Sequence, residues 1–425
     1  MIAKQELNND EVVVKEKLWT WNFFLLWQGQ LVSALGDVAY GIALGFWVLQ
    51  KTGSTALMGT LMACSTIPRL IISPFAGVYV DRANRRNIIV ATDAIRGIFV
   101  TLVAIAAFAG YAQVWMVFVT AIISGAAAAF FNPAVGSAIP DLVDKSKLMK
   151  ANSVFSMIYS GSNIVGNSIG GVLYNFLGAP IMFLFNGISY LFSAVTEIFI
   201  KIPKVERPAV EQHFLVDMKE GYTFVWKFRG LRDLIFVAAF LNLFANMAMV
   251  LFLPLFYKTE ALGPIKYGIA MASMTAGMLV GMIFTSVVNI PTAKKMPILL
   301  VCSFTFSSLL AVLPFTNNIL IMMVLLFISG LANSILNAII NVSVVLSIPQ
   351  NMRGKVSSLM QTVIMGLTPI GYATGGILAE YIPIRHVISG SFMITILLFI
   401  PFAFMKHFRK FINFDPDKQT LEDIF

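Results

Sequence analysis

Asp37 and Arg69 stand further from any polar stretch than the other charges of this chain. Each sits near the middle of a long apolar segment, about 21–50 for Asp37 and about 55–79 for Arg69, which directly follows Pro68. A lone ion in hydrocarbon is costly, so such charges pair with one another or face water. If the two segments are helices running in opposite directions, both residues reach similar depth, which predicts that Asp37 and Arg69 are coupled. A carboxylate that gains and loses a cationic neighbour is suited to carry a proton. The plainer alternative is a permanent ion pair stapling two helices.

Asp93 and Arg96 lie one to two turns into the next apolar segment, three residues apart and so on neighbouring helix faces. The loop before them reads Gly77-Val-Tyr-Val-Asp81-Arg82-Ala-Asn-Arg85-Arg86. An acid there can cap a helix end, and the arginines can bridge helices or meet anionic headgroups. Glu197 and Asp233 fall at segment ends and read as interfacial. Several amides lie within apolar segments. Gln28, Gln30, Asn132, Asn163, Asn246, Asn337 and Gln361 are the candidates for a polar cavity lining, set in a wall drawn from 36 Phe and 22 Met. The alternative for each is to join two helices.

Other chemistry is missing. Arg353-Gly354-Lys355-Val356 lacks the first glycine and the hydroxyl residue of a phosphate-binding loop. Three histidines (His213, His386, His407) and two cysteines (Cys64, Cys302) are scattered, giving no metal-ligand spacing. No serine–histidine–aspartate grouping is present. The expectation is a protein that is not an enzyme, with no cofactor and no metal. An ion gradient becomes the leading energy source by elimination.

The elements that must hold these residues are set by composition. Of 425 residues 58% are apolar and 12% charged, against roughly 25% charge in ordinary globular domains. Uncharged runs of 44 residues (97–140), 46 (151–196) and 57 (296–352) each exceed two membrane-spanning helices, since one needs about 20 residues. A soluble enzyme and an outer-membrane barrel are excluded. Twelve spans are predicted, six over 21–200 and six over 233–405. They are flanked by an N-terminal segment 1–20, a linker 201–232 and a tail 406–425. The N-terminal segment lacks the apolar core of a signal peptide. In the linker, Phe214, Met218, Tyr222 and Val225 approach helical spacing, as in a surface helix.

With both termini cytoplasmic, 24 of the 30 Lys and Arg fall in cytoplasmic segments and four outside. That is a strong positive-inside bias, and it accounts for the net charge of +9 without nucleic acid.

The chain also repeats itself. Asn132 and Ile139-Pro140 recur as Asn341 and Ile348-Pro349, at an offset of 209. Each precedes a short basic loop and then a glycine-rich segment. The first carries Gly161, Gly166, Gly170 and Gly171, the second Gly366, Gly371, Gly375 and Gly376. Two six-helix halves arising by duplication are a design common in secondary transporters. The glycines serve close helix packing, gating, or both.

Gly77 to Arg86 resembles the Gly-x-x-x-Asp-Arg-x-x-Arg-Arg loop of the major facilitator superfamily, and twelve spans in two halves match it over nearly the whole chain. Gly36-Asp37 through Phe46-Trp47, Lys51-Thr-Gly-Ser54, Pro68-Arg69 and Asp81-Arg82 resemble bacterial macrolide-efflux proteins and relatives that export enterobactin. The antiporter sequence Gly-Pro-x-x-Gly-Gly reads Gly166-Asn167-Ser168-Ile169-Gly170-Gly171 here, with Asn167 in place of the proline. The resemblance implies an all-α fold of two pseudo-symmetric six-helix bundles in the bacterial cytoplasmic membrane. It also implies export of an amphipathic small molecule, drug-like or siderophore-like, by proton antiport and alternating access. Protons and membrane lipids would be its partners and the working unit a monomer. Asp81, Arg82, Arg85, Arg86 and Asp93, with Gly77 and Arg96 in the same group, would lock the cytoplasmic side. A lipid or lysophospholipid transporter, and a non-transporting receptor or scaffold on the same fold, are the rival readings.

Overall fold

The first three helices of this chain each start on a polar cap, and the first two stop at a glycine and at an extended residue. The computed structural model describes residues 18–202, 214–350, 352–416 and 418–419. The N-terminal segment to residue 17, residues 203–213 of the linker and the last residues of the tail lie outside the described residues. Thr20 caps α1 (Trp21–Thr52), which ends at Gly53 with φ 69°; that left-handed value favours glycine. Ser54 caps α2 (Thr55–Arg82) and Asn84 caps α3 (Arg85–Phe108). Then come α4 (Val114–Leu142) and α5 (Leu148–Glu197), which turns back on itself at Gly178, φ 72°, before Pro180. The two arms of α5 are therefore separate crossings, and the first half has six.

The second half follows a short helix α6 (Phe214–Lys227). Its crossings are α7 with α8 (Arg229–Met249, Phe252–Lys258), α9 (Pro264–Val287), α10 (Thr292–Val312), α11 (Ile319–Ser347), α12 with α13 (Arg353–Gly366, Thr368–Tyr381) and α14 (Ile384–Phe404). A last short helix, α15 (Lys406–Ile412), packs back on α7. Twelve crossings result, with no strand among the described residues. Two crossings are broken in ways the apolar pattern does not signal, at 250–251 and at Leu367. The second break is held by side chains: Thr368 donates to Asn242 Oδ1 at 2.8 Å, and Asn246 donates to the same oxygen at 2.6 Å. In α6 Val225 is buried, whereas Tyr222 is 50% exposed and stacks on Trp226. Large apolar side chains such as Phe75, Phe176 and Phe404 face outward around the bundle, as lipid-facing residues must.

The glycine repeat is a packing device at three of its four steps, each offset by 205. Gly166 and Gly170 admit Val38 and Ile42 of α1, while Gly371 and Gly375 admit the backbone of α7. Gly171 and Gly376 instead let one half touch the other. Gly171 meets Pro264 and Gly268 of α9, and a methyl on Gly376 would stand 2.5 Å from Thr55 O of α2. Gly161 has open space beside it and Gly366 nearly so, so close packing explains neither. The extensive contacts between halves, α2 with α13 and α5 with α9, lie toward the end that holds the α1–α2 turn. Toward the basic loops the halves part.

Candidate functional site

Where the halves part, a cavity of about 1270 Å³ runs into the bundle. Its polar wall belongs to the first half. Gln30, Asn132, Asn163, Asn152 and Asn167 line it, together with the charged groups Asp37, Arg69 and Arg96. The second half contributes Met249, Val250, Leu253, Tyr267 and Tyr372. Of the expected lining, Gln28, Asn246, Asn337 and Gln361 lie elsewhere. Gln28 donates to Thr196 Oγ1 at 2.7 Å, Asn246 serves the α12–α13 break, and Asn337 donates to Asn333 O at 2.8 Å. Gln361 is exposed on α12 outside the cavity wall. An amide in a span can satisfy a helix break or a neighbouring carbonyl as readily as a ligand, and spacing alone does not separate these uses.

Asp37 opens on the cavity from the middle of α1, yet Arg69 is not its partner. Among the described residues no ion pair joins the two, although both line the same space. Asp37 accepts a hydrogen bond from Tyr190 Oη, and Asn186 and the guanidinium of Arg96 stand beside it. Pairing by depth along two helices ignored which way each faces; α3 and α5, not α2, deliver the neighbours of Asp37. Arg69 projects into the cavity on its own.

Arg96 is the centre of the charged group. Its guanidinium lies 4.5 Å from the Phe131 ring centroid and 5.3 Å from that of Tyr190, and its Nη1 is 3.7 Å from Asp93 Oδ1. Asp93 has no solvent exposure and Arg96 only 5%, so both are buried within the bundle, beyond the loop with which the sequence grouped them. Glu197, expected at the interface, is likewise fully buried, beside Asp93, Ser193 and Gln30. Helix orientation decides this: the last turn of α5 lies against Gly29 and Gln30 of α1, facing the bundle rather than lipid.

The loop residues tie the first half together. Arg85 pairs with Asp141 at the end of α4, and Arg86 Nη1 reaches Ile198 O at 3.3 Å. Arg82 is exposed, Gly77 has open space around it, and the Asp81 side chain lies outside the described set. Arg353, in the matching loop of the second half, donates to Val345 O at 3.0 Å and Ile348 O at 3.2 Å, capping α11.

At the opposite end stands a contact that the spacing did not signal. Glu380, in the last turn of α13, accepts from the Ser54 hydroxyl (2.6 Å), the Thr55 hydroxyl (3.1 Å) and the Ala56 N–H (2.9 Å). It covers the N-terminus of α2 across the two halves. The detectable trace is that α2 begins with no acid in its first turn.

Sequence comparison supplies relatives for this arrangement. A profile described as Major Facilitator Superfamily matches residues 26–372. Macrolide efflux protein A of Streptococcus pyogenes is 25% identical over 395 residues, covering 90% of this chain and 96% of the relative. Multidrug efflux pump Tap of Mycobacterium tuberculosis is 26% identical over 367 residues, covering 84% and 87%. Among solved structures, a bacterial homologue of the human lysosomal transporter Spinster, inward-facing and unoccupied, superposes with a TM-score of 0.67 at 16% identity. That likeness covers 92% of this chain and 97% of the other and concerns the fold.

Proposed function

Since the chain belongs to the major facilitator superfamily, we propose that it exports amphipathic organic compounds, macrolide-like or otherwise drug-like, from the bacterial cytoplasm. Transport proceeds by alternating access between the halves, with protons exchanged at Asp37. The observation that carries this reading is a cavity of about 1270 Å³, closed at one end, with an aspartate at its inner wall. Ordinary small-ligand pockets span about 300–1,000 Å³, so the space admits a large cargo. Its wall, amide-rich on one side and Met–Tyr on the other, suits a molecule with one polar and one apolar face. Met side chains adapt to varied shapes, which fits a broad substrate range. Both relatives described above are efflux proteins by name, which supports the direction of transport.

With both termini cytoplasmic, as the charge bias requires, the open end faces the cytoplasm and the state is the loading one. A cargo entering this space meets Asp37, held by Tyr190 and Arg96, and the unpaired Arg69. A proton arriving from outside after reversal neutralises Asp37 and weakens its hold on a cationic cargo. Protonation then favours the empty return, because a ligand shifts the equilibrium only by its differential affinity for the two states.

The test uses proteoliposomes and a radiolabelled macrolide. Asp37→Asn should leave the protein folded but abolish proton movement coupled to macrolide addition. Unchanged coupling in Asp37→Asn removes Asp37 from the mechanism, and macrolide accumulation equal in cells with and without the protein removes the substrate class.

A further inference from the structure

The charge balance behind the cavity does not close with the groups in hand. Asp37, Asp93 and Glu197 converge on one guanidinium, Arg96. Among the described residues no other cation stands against Asp93 or Glu197. Arg86 turns its guanidinium to Ile198 O, one residue past Glu197, and not to the acid. The remaining ionisable groups facing the cluster are Tyr190 and Tyr159 of α5 and Tyr40 of α1. With all three acids ionised, the unit would carry a net charge of two negatives, and two of its acids, Asp93 and Glu197, are out of reach of water, whereas Asp37 faces the cavity. Burying unpaired charge on that scale is prohibitive, and groups so placed take up protons instead. Glu197 also occupies the last turn of α5, where the helix macrodipole is negative and disfavours a carboxylate.

Orphaned polar atoms mark where the proton goes. Both oxygens of Asp93 and both of Glu197 lack a hydrogen-bond partner, as do Ser193 Oγ and Gln30 Nε2. Ser193 is fully buried and Gln30 is 3% exposed, and both stand beside Glu197. Ser193 stands beside Asp93 as well. A methyl on Gly29 would be 2.6 Å from Ser193 Oγ and 3.2 Å from Glu197 Oε1, so the acid is packed against the α1 backbone with no room to turn away.

We propose that Asp93 and Glu197 form a second proton-binding site, holding one proton between them through the Ser193 hydroxyl, and that Arg96 links this site to Asp37. The inference rests on the reading of Asp37 as the cavity's proton acceptor. One added proton supplies the missing donor: Glu197 donates to Ser193 Oγ, Ser193 donates to Asp93, and Gln30 Nε2 donates to the other oxygen of Glu197. Arg96 then compensates Asp37. When Asp37 takes a proton from the cavity, Arg96 turns its charge wholly to the pair, whose shared proton leaves. One proton binds and one departs, so the buried unit keeps the same net charge throughout.

Infra-red difference spectroscopy of the purified full chain in lipid nanodiscs, titrated from mildly acidic to mildly alkaline pH without cargo, tests this directly. The wild type should show the carbonyl stretch of a protonated carboxyl that persists at neutral pH. Glu197→Gln and Asp93→Asn should each lose it. Ser193→Ala, a smaller change that spares both acids, should shift its frequency. Asp37→Asn, which frees Arg96 for the pair, should lose it as well. A wild type with no such band, or a band unmoved by both Glu197→Gln and Asp93→Asn, overturns the proposal. A band lost in Glu197→Gln but kept in Asp37→Asn overturns the link through Arg96. Because no cargo is present, these outcomes are separate from the macrolide experiment: a failure of export leaves the band's assignment intact, and a missing band leaves Asp37 coupling to be judged on its own.

Discussion

Replacing Glu380 with alanine removes three donors' common acceptor and with it a tie between the two halves. In a buried setting, hydrogen bonds to a charged group contribute about 1.5–3 kcal/mol each. Glu380 is exposed, and water takes over much of what the mutation removes, so each bond is discounted heavily, as for exposed ion pairs. The carboxylate also meets the positive end of α2, which adds about 0.3–1 kcal/mol. The set then amounts to about 1–2 kcal/mol in favour of this closed end, a factor of roughly 5–30 between the two states. Spin labels at Lys51 and Tyr381, exposed on opposite halves at this end, report the separation by pulsed electron resonance. Glu380→Ala should enrich the long-distance population by that factor, and Glu380→Gln, which keeps an acceptor but no charge, by less. An unchanged distance distribution in Glu380→Ala would show that the contact does not bear on the equilibrium, and a shift toward the short distance would reverse the assignment.

Gly376→Val should act at the same end by a steric route. Even its first carbon would meet Thr55 O and the Gly59 backbone, so the variant should abandon the state described here and trap the opposite one, read as lost labelling of a cysteine placed at Asn163 in the cavity. Arg96, not Arg69, should couple to Asp37 in a double-mutant cycle on thermal stability. Asp37→Asn with Arg96→Gln should show an interaction of about 0.5–3 kcal/mol, whereas Asp37→Asn with Arg69→Gln should be additive within about 0.5 kcal/mol; the reverse pattern would refute the placement of Arg96.

The fold was legible because hydrocarbon allows few solutions. Uncharged runs long enough for two spans each, the glycine at 53 and the Gly178-Ala179-Pro180 turn marked nearly every crossing. The break at Leu367 was invisible because its cost is met by Asn242 and Asn246, the second of which reads in the sequence as a cavity amide. Depth was legible too, since the mid-span placement of Asp37 and Arg69 put both at the cavity. Azimuth was not. Whether Asp37 meets α2 or α3 depends on how neighbouring helices rotate, and no residue type records that. The same gap hid Glu197, whose place at a span end looks interfacial until the last turn of α5 is set against Gly29.

The two halves are alike in fold, but the charged groups of the cavity wall belong to one of them, and α1 is where the difference tells. Asp37 and Phe46 lie nine residues apart on this helix, roughly 13–14 Å at 1.5 Å per residue. At the Asp37 level α1 accepts a hydrogen bond from Tyr190 of α5, and two turns away its Gln30 stands beside the buried Glu197. At the Phe46 level it touches the other half: the ring, stacked on Tyr174 of its own half at 4.8 Å, meets Tyr267 at 5.7 Å and Tyr257 at 6.1 Å. Gly45 beside it lets Leu253 approach, and Leu253 lines the cavity. Helices do not bend freely, and tightly packed interfaces switch between discrete arrangements rather than deform by degrees. A change in charge at Asp37 that re-seats α1 is therefore carried along a rigid rod to the aromatic contact that holds the halves together. The second half needs no charge in the cavity for this, only the tyrosines that receive the helix and, at the closed end, the carboxylate of Glu380.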